Sequence, residues 1–209
     1  MNSRFTVRSP LGSAVALATV LAGSALVSAQ PVQAPLAIDT AKITIAGTSN
    51  IHDYTASTTE ARVTRVQLGS AVAGEAFWTE VQKPGGLEAF DISVVAGSLK
   101  STKEGLDKNM YKALKVKEHA DITFSVTRMD GIPGALKATG MLRIAGVERE
   151  VTLPLKTVRK GDKLAVTGVL DVLMTDYGIA PPKAMMGLVK TDPKITITFE
   201  VLLGLASTN

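Results

Sequence analysis

Apolar residues alternate with polar ones in several runs along this chain, and that period of two constrains the fold more than any other feature. Successive side chains of a strand point to opposite faces, so an alternating run predicts a strand with one buried face. The final run is the clearest and contains five apolar residues: Ile195, Ile197, Phe199, Val201 and Leu203. Shorter runs lie at 43–45, 61–63, 90–94 and 122–126, and each predicts a further strand.

A β-hairpin is predicted in the second half of the chain. Alternating runs at 136–144 and 147–155 flank Ala145-Gly146, and two such runs joined by two turn residues are typical of a hairpin. Another alternating run follows at 164–170. Because proline cannot donate a main-chain hydrogen bond, Pro154 predicts an edge or bulge position within its strand.

One segment departs from the period of two. Leu106, Met110 and Leu114 recur at intervals of four, which predicts a short amphipathic helix that caps one end of the sheet. Many short strands, short turns and a single helix indicate an all-β sandwich or barrel, and periodicity does not decide between them. Aromatic residues make up only 4% of the chain, which argues against the aromatic girdles of an outer-membrane barrel.

The N-terminal segment has the features of an export signal. Arg4 and Arg8 precede an apolar run at 11–27 that leads into a small-x-small pattern ending at Ala29. The run is shorter than the roughly 20 residues that a membrane span needs. We therefore expect residues 1–29 to be a cleaved signal peptide, residues 30–36 a tether, and residues 37–204 one domain. The expected location is the periplasm, and the cleaved chain is not expected to be an integral membrane protein.

Charge and cysteine content exclude several classes of protein. Without Arg4 and Arg8 the basic count falls from 23 to 21, against 19 acidic residues, a balance that does not suit a nucleic-acid partner. Cysteine is absent, so neither a disulfide nor a thiolate metal cage is available. The domain must be stabilised by its buried core and by strand pairing.

Residues with catalytic or metal-binding chemistry are few. His52 is followed by Asp53, but adjacent residues of an extended strand point to opposite faces, so their spacing alone does not make a catalytic pair. His119 is the only other histidine, which leaves too few ligands for a zinc site. Glycine-rich phosphate loops are missing as well. The sequence therefore predicts no catalytic residue, no metal, no cofactor, and a protein that is not an enzyme.

The loop at 176–187 is apolar and stiffened by prolines. It contains Met185 and Met186, and flexible thioether side chains suit a cavity for a pliable chain as well as ordinary gaps in a core. The loop either borders an apolar ligand or packs over the end of the sheet.

Short motifs follow one another in an order shared with one known family. They are Ile38-Asp39, GTSNIHDY at 47–54, GSLKS at 97–101, ADITF at 120–124, GMLRIAGV at 140–147 with VTL at 151–153, and TDYGI at 175–179. By these motifs the chain resembles the YceI-like, polyisoprenoid-binding proteins over residues 37–203. The resemblance implies an extended, lipocalin-like antiparallel β-barrel of about eight strands with one helix. It also implies that the barrel encloses a long isoprenoid chain, such as a quinone tail.

The interior of such a barrel determines its function. A barrel of about eight strands is either filled by its own side chains or holds one small ligand. Four small residues, Ala61, Ala138, Gly140 and Gly168, are expected to face inward and to leave room for an apolar lipid. The expected cavity-lining residues are Ile43, Ile45, Phe90, Ile92, Val94, Met110, Leu114, Phe124, Leu142, Ile144, Val151, Leu153, Met174, Tyr177, Met185, Met186, Ile197 and Phe199. His52 and Asp53 are expected as polar groups at the mouth.

Two other functions stay open from the sequence. One is a structural or interaction protein of the envelope whose barrel is filled. The other is a hydrolase or isomerase of an apolar substrate that uses His52 as the base and Asp53 to orient it. Exposed strand edges would in addition favour a homodimer.

Overall fold

The computed structural model describes residues 36–69, 76–184 and 188–205. The predicted signal peptide, residues 30–35 of the predicted tether, and Met185 and Met186 lie outside the described residues. The strands are β1 Leu36–Ser49, β2 Tyr54–Thr58, β3 Ala61–Leu68, β4 Leu87–Val95, β5 Lys100–Ser101, β6 Asp121–Ile132, β7 Ala135–Ile144, β8 Val147–Lys160, β9 Lys163–Leu173, β10 Lys183–Ala184 and β11 Val189–Leu205. The α-helices are α1 Phe77–Glu80 and α2 Glu104–Ala113, and 3-10 turns lie at Ala96–Ser98 and Met174–Tyr177.

The strands form one curled, antiparallel, lipocalin-like sheet. Ten of them follow the order β3-β4-β6-β7-β8-β9-β11-β1-β2-β5, and β10 pairs with β11 beside this path. The longest ladder joins β1 to β11, from Leu36 opposite Leu205 to Ser49 opposite Thr191. The sheet is therefore an open barrel whose two end strands are β3 and β5.

The predicted all-β class and antiparallel barrel are confirmed, but the strand number differs. Each of the eight alternating runs lies within a different long strand. The sheet path also contains β2 and β5, which have five and two residues, and segments that short carry too little alternation to be recognised in the sequence.

Two helices close the ends of the barrel. Helix α2 matches the predicted helix and covers one end, where Leu114 at its C-terminus is buried with Leu99 and Leu142. Helix α1 was not predicted, because four residues are too few to show a helical period. It fills the opposite end with Phe77 and Trp78, whose rings meet edge to face with centroids 5.1 Å apart.

Hydrogen bonds hold α2 in place over its end of the barrel. The Asp107 carboxylate accepts a hydrogen bond of 2.7 Å from the main-chain N–H of Ser101 on β5. The Tyr111 hydroxyl donates to the main-chain oxygen of Leu99 at 2.6 Å. Hydrogen bonds from Ser101 lower the pKa of Asp107, since they favour its charged form.

No helix among the described residues has the length and apolarity that a membrane span requires.

The β7–β8 hairpin turns through Ala145 and Gly146, as predicted. Both residues have positive φ, 50° and 84°, which is the backbone of a two-residue hairpin turn. The imidazole of His119 lies where a Cβ on Gly146 would be. Position 146 therefore requires glycine for two reasons, its φ and the close approach of His119.

The β8–β9 ladder covers only part of both strands. It runs from Leu155 opposite Gly168 to Lys160 opposite Lys163. Residues 147–154 of β8 pair with β7 alone among the described strands. Pro154 is the last residue of the stretch without a partner on β9, which agrees with the edge or bulge position predicted for it.

We expect Gly146→Ala to destabilise the protein by more than Gly161→Ala. Both glycines have positive φ, which costs an alanine about 1 kcal/mol, but only the Cβ at position 146 would meet His119. Urea unfolding of the two variants measures the difference. Adding His119→Ala to Gly146→Ala should remove the excess, and equal losses for both glycines would contradict the steric account.

We expect Asp107→Asn to remove an acid-sensitive part of the stability. Because the folded-state pKa of Asp107 is lowered, its contribution is complete above the ordinary aspartate pKa and is lost as pH falls through the lowered one. Urea midpoints of wild type should therefore drop across that acidic range more than those of the variant. Glu104→Gln is the matched control, because Glu104 is exposed on the same helix and should leave the wild-type pH dependence intact. Identical pH profiles of the urea midpoint for wild type and Asp107→Asn would contradict this contribution of the Asp107 carboxylate to stability.

Candidate functional site

Three apolar cavities follow one another along the barrel interior. The mouth cavity lies under α2 and has a volume of about 160 Å³. The middle cavity has about 120 Å³ and the deep cavity, beside α1, about 90 Å³. Mouth and middle cavities share Ile45, Ile122 and Ile197. The interior is thus a row of apolar spaces that begins at the α2 end.

Alternation along single strands produces this row. On β11, Ile195 lines the mouth cavity, Ile197 and Phe199 line the middle one, and Val201 and Leu203 reach the deep one. Side chains two residues apart on a strand share a face, so each step of two residues moves one position along the barrel axis. The same order holds on β6, where Ile122 precedes Phe124 and Val126.

The mouth cavity has polar groups at its outer end. They come from β1, the turn before β2, β2, β5, α2 and β11, and comprise Ser49, His52, Tyr54, Thr55, Ser101, Asn109 and Thr191. Helix α2 adds Leu106, Met110 and Ala113 to the apolar lining. A polar rim therefore surrounds the opening of an apolar interior.

His52 is held at this rim by a tight turn. The Ser49 hydroxyl donates to the main-chain oxygen of His52 at 2.7 Å and accepts from its N–H at 3.1 Å. The His52 Nδ1 lies 3.0 Å from the main-chain oxygen of Asp53, and the Asp53 side chain is exposed. The structure described here thus has no hydrogen bond between the Asp53 carboxylate and the imidazole. The described residues also contain no group of three side chains that could hold a metal ion.

Two tyrosines of the mouth-cavity lining have hydroxyls without hydrogen-bond partners. Tyr54 and Tyr177 both line the cavity, and each hydroxyl is buried with no partner in the described part of the chain. Burial raises the pKa of both phenols, and the nearby charges of Asp192 and Asp176 raise them further. Both hydroxyls are therefore neutral donors at neutral pH. An unpartnered buried hydroxyl costs about 1–3 kcal/mol, which a polar group of a ligand would offset.

The rim also exposes apolar side chains. Ile51 is 60% exposed and Leu188 is 71% exposed. Asn50 joins their two segments, because its side-chain amide donates to the oxygen of Leu188 at 2.9 Å and accepts from the N–H of Lys190 at 2.8 Å. The opening is thus edged by apolar groups on a hydrogen-bonded frame.

Most of the predicted lining residues surround the three cavities. They are Ile43, Ile45, Phe90, Ile92, Val94, Met110, Leu114, Phe124, Leu142, Ile144, Leu153, Met174, Tyr177, Ile197 and Phe199. Val151 instead lines an outer cleft between β8 and β9, with Arg149 and Asp171, because β8 has no ladder with β9 at that height. Of the two expected mouth residues, His52 lines the mouth cavity and Asp53 lies beside it.

Several lining residues were missed. Ile122 and Ile195 have the same alternation as Phe124 and Ile197, so the sequence contained the signal for them. Ile179 and Pro182 line the mouth cavity from a segment without regular structure, where no periodicity exists to indicate an inward side chain.

The expectation that small inward residues leave room is wrong for two of the four. The Phe124 ring occupies the space where a Cβ on Gly140 would be, and the Phe199 ring does the same at Gly168. Ala61 and Ala138 do line the middle and deep cavities. The space beside a small inward residue can be filled by a neighbouring aromatic ring or by a ligand, and the packing of the strands determines which of the two fills it.

Comparison with known proteins agrees with this architecture. The BcnA crystal structure from Burkholderia cenocepacia has a TM-score of 0.60 and 14% identity, covering 78% of this chain and 95% of that one. A polyisoprenoid binding domain from Saccharophagus degradans has a TM-score of 0.59 and 10% identity, covering 83% and 100%. The Campylobacter jejuni YceI protein has a TM-score of 0.50 and 18% identity, covering 71% and 85%. These TM-scores show a shared fold.

No curated protein sequence matches the chain. The family model of the YceI-like domain, however, matches residues 36–202, which include β1 and most of β11. This match extends over nearly the whole described barrel, with its three cavities and polar rim. The chain belongs to the YceI-like domain family.

Proposed function

We propose that the protein binds one long apolar lipid, of the polyisoprenoid or quinone type, inside its barrel. The observation that carries this proposal is the row of three apolar cavities with unpartnered hydroxyls at its outer end. Further support comes from the Saccharophagus degradans structure, which is described as a polyisoprenoid binding domain. The predicted signal peptide at 1–29 supports a periplasmic location for this binding protein.

Burial of the lipid tail supplies the binding free energy. Each methylene removed from water contributes roughly 0.8 kcal/mol, so a dozen carbons give a gross gain near 10 kcal/mol. Lost translation and the ordering of the tail offset much of that gain. Because the hydrophobic effect is non-directional, the interior selects a tail by its length and width.

The mouth favours a lipid with a hydrogen-bonding headgroup. Neutral phenols donate hydrogen bonds, and the carbonyl oxygens of a quinone accept them. Tyr54 and Tyr177 therefore suit a quinone carbonyl, and His52 adds a third polar group on the same rim. The exposed Ile51 and Leu188 give the headgroup end an apolar border.

The rival functions have less support. A filled barrel does not accord with three internal cavities. A hydrolase or isomerase that pairs His52 with Asp53 would need the Asp53 carboxylate on the imidazole, whereas the neighbour of Nδ1 is the Asp53 main-chain oxygen. We therefore propose binding without catalysis.

Purification of the full chain from its own cell envelope tests the proposal. Organic extraction followed by mass spectrometry should yield one apolar lipid in a near-stoichiometric amount. Protein purified without any such lipid, and unable to take up an apolar dye, would contradict it.

We expect Tyr177→Phe to weaken binding of a prenylated benzoquinone by about twofold to tenfold, as loss of one hydrogen bond implies. Affinity for the matching prenyl hydrocarbon, which lacks carbonyl groups, should be unchanged. The unliganded variant should be as stable as wild type or more stable, because the hydroxyl it loses is buried without a partner. Titration calorimetry and urea unfolding measure both quantities. Equal losses for the quinone and the hydrocarbon would contradict a headgroup role.

A further inference from the structure

The middle and deep cavities share five lining residues, and two of these are phenylalanines. Phe124 on β6 and Phe199 on β11 each line both spaces. We propose that these rings form a partition that sets the length of lipid tail the barrel accepts. This inference rests on the proposed lipid binding and adds the residues that determine which tails fit.

The rings are positioned by glycines on neighbouring strands. Phe199 is directly opposite Gly168 in the β9–β11 ladder, and its ring covers the space above that glycine. Phe124 covers Gly140 of β7 in the same way. A Cβ at either glycine would collide with the ring, so each ring can take its observed position only because the neighbouring strand lacks a side chain there. This explains two glycines in strand interiors, where glycine otherwise weakens the sheet.

The deep cavity lies at the α1 end of the barrel. Trp78 and Val81 of α1 lie at its end, and the Trp78 Nε1 donates to the main-chain oxygen of Asp162 at 2.8 Å. The polar groups that reach this cavity are already paired, because the Thr157 hydroxyl donates to the Gln82 side chain and accepts from Gly134 N–H at 2.9 Å. Residues with unpartnered hydroxyls thus line the mouth cavity, whereas these polar side chains of the deep cavity are paired with each other or with the main chain.

This difference in polarity gives the lipid one orientation. The headgroup lies at the mouth and the tail extends through the middle cavity toward Phe124 and Phe199. A tail that ends before the rings gains affinity with each carbon, roughly threefold to fourfold per methylene in the gross transfer term. A longer tail meets the partition and gains nothing more from its extra carbons. Affinity should therefore rise with tail length and then level off.

Competition with an apolar fluorescent dye tests the partition. All-trans isoprenoid alcohols of increasing length displace the dye from wild type, Phe199→Ala and Phe124→Ala. In wild type we expect affinity to reach a plateau. In either variant the plateau should move to longer alcohols, with at least about tenfold tighter binding of the first alcohol beyond the wild-type limit. The shortest alcohol should bind within about twofold of wild type.

Phe77→Ala is the matched control. Phe77 is buried on α1 and lines none of the three cavities in the described part of the chain, so the same substitution there loosens the core without joining cavities. Its plateau should stay at the wild-type length. Phe199→Leu, which keeps more apolar volume, replaces Phe199→Ala if thermal unfolding shows that the alanine variant is not folded.

The outcomes separate the two claims. Failure of wild type to bind the dye and every alcohol would overturn the proposed function. Binding with a plateau that neither ring substitution moves would overturn the partition while leaving lipid binding intact. A shift of equal size in Phe77→Ala would also overturn the partition, because it would show general loosening of the core.

Discussion

The structure depends on one sheet that buries its own inner face. A sandwich covers each sheet with a second layer, whereas here the curled sheet and two helices enclose the same space. The inward side chains pack into two core clusters, and the volume that they leave forms the three cavities. From Thr40 to Gly47 the β1–β11 ladder has a constant register, and a shift by one residue there would turn its inward side chains to solvent.

Alternation made most of this predictable. The eight long strands and helix α2 were identified from periodicity, and most side chains in phase with those runs surround the cavities, with Val151 as an exception. Helix α1 and strands β2 and β5 were missed because each is shorter than the period needed to reveal it. Ile179 and Pro182 were missed for a related reason, since their inward position comes from the path of an irregular segment.

Two inward glycines show what the pattern of a single strand does not predict. Gly140 and Gly168 were correctly placed on the inner face, yet the space beside them belongs to Phe124 and Phe199. Those contacts cross from one strand to its neighbour, so they depend on register, which a single strand's pattern does not contain. Gly47 shows the same arrangement with Tyr54. Three glycine and aromatic pairs thus shape the interior, two at the partition and one at the mouth.

The incomplete β8–β9 ladder has a mechanical consequence. A closed cylinder can widen only by breaking main-chain hydrogen bonds, but residues 147–154 of β8 share none with β9 in the described structure. The 3-10 turn Met174–Tyr177 covers that seam with side-chain packing, which deforms at lower cost than a hydrogen-bonded ladder. The β8–β9 boundary is therefore more compliant at the mouth, where Tyr177 lies, than in the deep half, where its ladder is intact.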